Sequence, residues 1–120
     1  MAARILIVED SPLVTDAFRI LFTESGYEVD VAATVAEGIE RGAANTFDLM
    51  LLDLSLPDGS GLEVLEALRE RGVPPRATLA MTGYDDPITR RACLDAGCAE
   101  VLVKPLRIGD LLRHIERHLA

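Results

Sequence analysis

The chain has 120 residues, a length that suits one domain spanning 1–120 and buries roughly two-thirds of the unfolded surface. Its 20 acidic residues against 12 basic ones leave a net charge of −8, short of the cationic groups that displace counterions from nucleic-acid phosphates. No apolar run approaches the roughly 18 residues of a membrane span, and Cys93 and Cys98 are too few for a disulfide framework and lack zinc spacing. Met1-Ala-Ala-Arg passes straight into Ile5-Leu-Ile-Val8 and Glu9-Asp10, unlike a cleavable signal peptide. A cytoplasmic location with no membrane contact is the expectation.

From Ile5 onward, short apolar runs alternate with longer amphipathic stretches five times. Ile5–Val8 reads as a strand buried on both faces. Ser11 before Pro12 predicts an N-cap and a first helical proline, with Leu13, Ala17, Phe18 and Leu21 as the apolar stripe and Gly26 as the stop. Tyr27–Val31 alternates apolar with acidic and reads as an edge strand. Thr34 and Glu37 predict a capping box for a helix over about Val35 to Ala44. Leu49–Leu52 is a second doubly buried strand, followed by a helix lined by Leu62, Leu65, Ala67 and Leu68 that Gly72 and Pro74 stop. Ala77–Met81 is the fourth strand, and Asp86-Pro87 opens a helix that closes near Gly97. Val101–Val103 is the fifth strand, and Ile108, Leu111, Leu112, Ile115 and Leu119 stripe the last helix. Such alternation with short connections predicts right-handed crossovers and a doubly wound parallel α/β sheet.

Ligands of open α/β sheets bind beyond the carboxyl ends of the strands. Those ends carry Glu9-Asp10, Asp53, Thr82-Gly83 and Lys104-Pro105; only the second strand ends without ionisable chemistry. Each residue alone has an ordinary role: a turn-capping Asp, an acidic helix start, a β-branched strand residue, a solvated lysine. Their convergence on one rim points further. Two carboxylates about 4 Å apart repel by roughly 4 kcal/mol at an effective dielectric near 20, so three with one lysine leave a charge deficit suited to a hard divalent ion such as Mg²⁺. A carboxylate beside such an ion, an ammonium and a hydroxyl is a competent phosphoryl acceptor.

Across essentially its whole length the sequence resembles the receiver domain of two-component response regulators. The stretches that carry the likeness are Ile-Leu-Ile-Val-Glu9-Asp10, Leu-Leu-Asp53-Leu-Ser-Leu-Pro57-Asp-Gly-Ser-Gly61, Met-Thr82-Gly, and Ala-Gly97 onward to Val-Lys104-Pro105. The resemblance implies a flavodoxin-like receiver fold, with five parallel strands in the order 2-1-3-4-5 and five helices. It implies that Asp53 accepts a phosphoryl group from the phosphohistidine of a sensor kinase or phosphotransfer protein. Mg²⁺ would then be held by Glu9, Asp10, Asp53 and the backbone carbonyl of Ser55. Thr82 would hydrogen-bond the phosphoryl group, Lys104 would pair with one of its oxygens, and the Lys104-Pro105 peptide would be cis.

The implied activity is that of a switch whose only chemistry is its own phosphorylation and dephosphorylation, with the surface of helix four, strand five and helix five as output to an effector or output domain. On phosphorylation Thr82 and Lys104 are expected to gain partners they lacked. Two departures from the family pattern stand out: Glu9 where Asp is commoner, and Val101 where a switching Tyr or Phe often stands, with Tyr84 as the nearby aromatic. Gly83 is expected to leave the mouth open to water. Two rivals share the architecture. A haloacid-dehalogenase-like phosphatase places a second Asp two residues beyond its nucleophile, where this chain has Ser55. A flavin carrier needs a hydroxyl- and glycine-rich phosphate loop, where this chain has Glu9-Asp10-Ser11-Pro12.

Overall fold

The computed structural model describes residues 2–120. The strands are β1 Arg4–Val8, β2 Glu28–Ala32, β3 Leu49–Asp53, the short β4 Ser55–Leu56 and β5 Gly59–Ser60, β6 Ala77–Thr82 and β7 Glu100–Val103. The helices are α1 Pro12–Glu24, α2 Val35–Ala44, α3 Leu62–Glu70, α4 Pro87–Ala96 and α5 Ile108–Leu119. The main sheet runs β2-β1-β3-β6-β7, all parallel. Counting main-sheet strands alone, this is the expected order 2-1-3-4-5 with β2 at an edge. The small β4–β5 hairpin is antiparallel and lies outside the sequence expectation; two-residue strands around Pro57-Asp58 carry no periodicity to read.

The period of two sorts the central strands onto two cores. Leu6, Val8, Met50, Leu52 and Ala80 face α2, α3 and α4, meeting Val64, Leu68 and Cys93. Ile5, Ile7, Leu49, Leu51, Leu79 and Met81 face α1 and α5, meeting Phe18, Phe22, Leu111 and Ile115. Phe22 is fully buried, so its truncation to alanine would cost about 3–5 kcal/mol.

Local signals set most helix ends. Thr34 Oγ1 accepts from the Glu37 N–H at 3.0 Å, the forward half of the expected box; Glu37 Oε1 reaches back to the Ala33 N–H at 3.4 Å rather than to Thr34. Asp86 caps α4 through the Thr89 N–H at 2.8 Å, and Gly97 ends it at φ +108, a left-handed position that costs glycine little. One expectation for α1, the Ser11 N-cap before Pro12, holds in position, and another, its apolar stripe, needs correction. Ser11 occupies the N-cap without a side-chain bond to the helix. The buried stripe is Thr15, Phe18 and Phe22, while Leu13 is 85% exposed. The helix is rolled so that Phe22 enters the core, and Leu13 lines an open groove toward Ile108 of α5.

Candidate functional site

Because all five main strands run the same way, their carboxyl ends share one rim. Glu9 lies just past β1, Asp53 closes β3, Thr82 closes β6 and Lys104 follows β7. Glu9 and Asp53 are each 3% exposed, whereas Asp10 is exposed. Each of the three offers a carboxylate oxygen within 4.8 Å of the others. That all-oxygen donor set fits a hard divalent cation.

Lys104 supplies the cationic counterpart. Its Nζ stands 2.9 Å from Asp53 Oδ2 and 3.2 Å from Glu9 Oε1. Burial works against the ammonium's charge, but Asp53 and Glu9 together outweigh it and hold the Lys104 pKa above its usual value. For Glu9 burial is the main cause of a pKa raised above the ordinary carboxylate range; neighbouring Asp10 and Asp53 add to it, and the Ser11 N–H and Lys104 oppose it. The second oxygen of each buried carboxylate is taken by a backbone amide: Asp53 Oδ1 by Ser55 N–H at 3.1 Å, Glu9 Oε2 by Ser11 N–H at 3.1 Å. Ser55 therefore adjoins Asp53 through its N–H.

Thr82 is buried at 4% exposure, and its hydroxyl oxygen accepts from the Tyr84 N–H at 3.0 Å. Its own proton is held loosely, toward the Tyr84 carbonyl at 3.5 Å. The expectation that Thr82 and Lys104 start without partners is thus corrected. Lys104 is already shared by two carboxylates, and Thr82 is bonded on its acceptor side. For Lys104 a new partner would mean an exchange of bonds rather than an addition. The Lys104-Pro105 peptide is cis. Val101 packs in the core beside Cys93 and Cys98, and Tyr84 is 72% exposed.

The loop beyond Asp53 closes back on the strand. Gly61 donates its N–H to the Leu54 carbonyl at 3.0 Å, and any Cβ there would collide with the Asp53 backbone carbonyl. Only glycine permits that approach. At Gly83 a Cβ would meet nothing within 4 Å, so the rim is open there. A residue that sequence reasoning passed over is Asp58. Its carboxylate takes the Val35 and Ala36 N–H groups at 2.8 and 3.1 Å; no local pattern links positions this far apart.

Residues 5–116 match the family described as the response regulator receiver domain. The chain belongs to that family. The receiver chain is 36% identical over 119 residues to the TorCAD operon transcriptional regulatory protein TorR of Escherichia coli K12, covering 99% of this chain and 51% of the relative. It spans about half the length of the curated relatives it matches. Among solved structures, a CheY-like receiver domain protein from Methanospirillum hungatei JF-1 superposes with a TM-score of 0.90 at 35% identity, covering 99% of this chain and 94% of that one. The receiver domain of sensor histidine kinase PA1611 from Pseudomonas aeruginosa PAO1, solved with a magnesium ion coordinated in its active site cleft, gives 0.84 at 26% identity, covering 99% and 98%.

Proposed function

We propose that this receiver is a Mg²⁺-dependent phosphoryl switch with Asp53 as acceptor. The observation that carries the reading is the acidic cluster of Glu9, Asp10 and Asp53, with Glu9 and Asp53 buried and bridged by Lys104 and with Thr82 ending the next strand. Glu9, Asp10, Asp53 and the Ser55 carbonyl would hold the ion, a role supported by their oxygen donors and by the magnesium found in the PA1611 receiver. When bound, the ion would neutralise charge on the phosphoryl oxygens.

The protein's own groups supply the rest. A carboxylate oxygen of Asp53 attacks the phosphorus of a donor phosphohistidine; the new P–O bond forms as the P–N bond breaks, and the imidazole keeps the electron pair. Lys104 is already beside that carboxylate and would follow the transferred oxygens. Thr82 would turn its loosely held proton toward the phosphoryl group. Ser55, two residues beyond Asp53, offers no second carboxylate for a hydrolytic cycle like that of the rival phosphatase. The donor would be a sensor histidine kinase or phosphotransfer protein in the cytoplasm. We assign its docking to the apolar groove between α1 and α5, which opens beside Glu9 and Lys104. The output surface would be α4, β7 and α5, the elements nearest Thr82 and Lys104, read by an effector or output domain.

Intact mass after incubation with acetyl phosphate and Mg²⁺ tests the reading. The expected result is the gain of one PO₃ unit, abolished by Asp53→Asn and by removing the ion with chelator. An unchanged mass under saturating donor and Mg²⁺ would rule it out.

A further inference from the structure

The hairpin that follows the acceptor strand is fastened to a helix outside its own segment. Pro57-Asp58 forms its tip, between β4 and β5. From there the Asp58 carboxylate caps α2 with both oxygens, Oδ1 on the Val35 N–H at 2.8 Å and Oδ2 on the Ala36 N–H at 3.1 Å. These bonds, the Val35 amide foremost, hold its pKa below the ordinary carboxylate value, as a charge at a helix N-terminus should be held. The hairpin's other bonds are local: Ser55 N–H to Asp53 Oδ1, Ser60 N–H to Glu63 Oε2 at 2.8 Å and Gly61 N–H to the Leu54 carbonyl. Local bonds fix the hairpin's shape, while Leu54 and Leu56 packed against the core and the Leu54 N–H on the Met81 carbonyl at 3.1 Å seat its base. The bidentate Asp58 cap anchors the tip as well, because α2 is itself seated by its buried Val35, Gly38 and Gly42, the two glycines lying against Val64 and Leu68 of α3.

We infer that Asp58 is a positioning residue for the metal-binding loop: by tying the hairpin tip to α2, it holds Ser55 and Asp53 in the geometry that receives the divalent ion. This rests on the proposed Mg²⁺ reading. It also makes the coupling reciprocal, since an ion that prefers the anchored loop must steady the first turn of α2 in return.

The same helix end carries a second, purely local cap, Thr34 Oγ1 on the Glu37 N–H, which gives the control. Asp58→Ala and Thr34→Ala each remove a cap from α2 and should each lower the melting temperature. Only Asp58→Ala should weaken Mg²⁺, by about tenfold in Kd, the low end for residues that orient ligands from behind. In calorimetric titrations with MgCl₂ alone, Thr34→Ala should stay within about twofold of the unsubstituted chain on the same scale. At saturating Mg²⁺ the acetyl phosphate rate of Asp58→Ala should return to that of the unsubstituted chain. Adding Mg²⁺ should slow amide exchange at Val35 and Ala36 in the unsubstituted chain but not in Asp58→Ala. An unchanged Kd in Asp58→Ala, or an equal loss in Thr34→Ala, overturns the assignment while leaving the acceptor reading intact. Failure of the unsubstituted chain to bind Mg²⁺ at all overturns both.

Discussion

The Lys104 ammonium lies 2.9 Å from the Asp53 carboxylate and so occupies the cationic side of the rim before any ion or phosphoryl group arrives. Because the same nitrogen also reaches Glu9 at 3.2 Å, one lysine neutralises part of two buried charges. Lys104→Met should therefore destabilise the ion-free chain by about 1–3 kcal/mol, less than a fully buried pair because the lysine side chain is 36% exposed. The more negative rim left behind should bind Mg²⁺ more tightly, and ligand binding adds stability in proportion to the logarithm of concentration over Kd. Thermal unfolding with and without MgCl₂ should show a larger Mg²⁺-induced rise in the variant. An equal or smaller rise would mean that Lys104 does not offset the charge the ion meets.

Under the proposed switch, Thr82 would sense phosphorylation while keeping its bond from the Tyr84 N–H. Its oxygen accepts from Tyr84 N–H while its proton is loosely placed, so a phosphoryl oxygen can take that proton. A hydrogen bond to a charged group contributes about 1.5–3 kcal/mol, against the roughly 5.5 kcal/mol needed to move an equilibrium from 1:99 to 99:1. Thr82→Ala should accept the phosphoryl group to the same extent, yet lose about ten- to a hundredfold in the ratio of switched to unswitched molecules. Amide chemical shifts along α4, β7 and α5 read that ratio. Full phosphorylation-induced shifts in the variant would remove Thr82 from the switch.

The parts that could be read from sequence are those governed by short-range rules. β1, β3 and β6 are legible because a strand buried on both faces is mostly apolar, and α2 because Thr34 marks its first turn. Glu9, Asp53, Thr82 and Lys104 were placed on one rim because parallel strands put their carboxyl ends on one side. What escaped depends on tertiary placement. Leu13 reads as core yet lines a groove, since which face of α1 turns inward is decided by the fit of Phe18 and Phe22 against the sheet. The sharing of Lys104 between Glu9 and Asp53 and the capping of α2 by Asp58 join residues far apart in the chain.

Gly83 sits beside Thr82 with open space where a side chain would project. Water reaching the phosphoryl group by that route would shorten its lifetime. Gly83→Met should slow loss of the PO₃ unit about three- to tenfold, up to roughly 1.4 kcal/mol of barrier, with little effect on the fold because its Cβ meets nothing. The decay of phosphorylated mass after donor removal measures this. An unchanged half-life would show that Gly83 does not govern water access.

Asp86 offers a pH-dependent element away from the acidic rim. Its Oδ1 accepts from the Thr89 N–H and its Oδ2 from the Thr89 hydroxyl, both at 2.8 Å. Those bonds, the backbone one first, hold its folded pKa below the ordinary 3.8. A depressed folded pKa means the ionised cap stabilises the chain fully above the unfolded value, and this contribution fades as pH falls through the folded value. Asp86→Asn lacks the charge at every pH, so the gap in urea midpoint between it and the unsubstituted chain isolates that contribution. The gap should be constant from about pH 7 to about pH 5 and shrink by about pH 3, even as other carboxylates lower both midpoints together. A gap that persists undiminished at the lowest pH would place the role of Asp86 in its shape rather than in its charge at the start of α4.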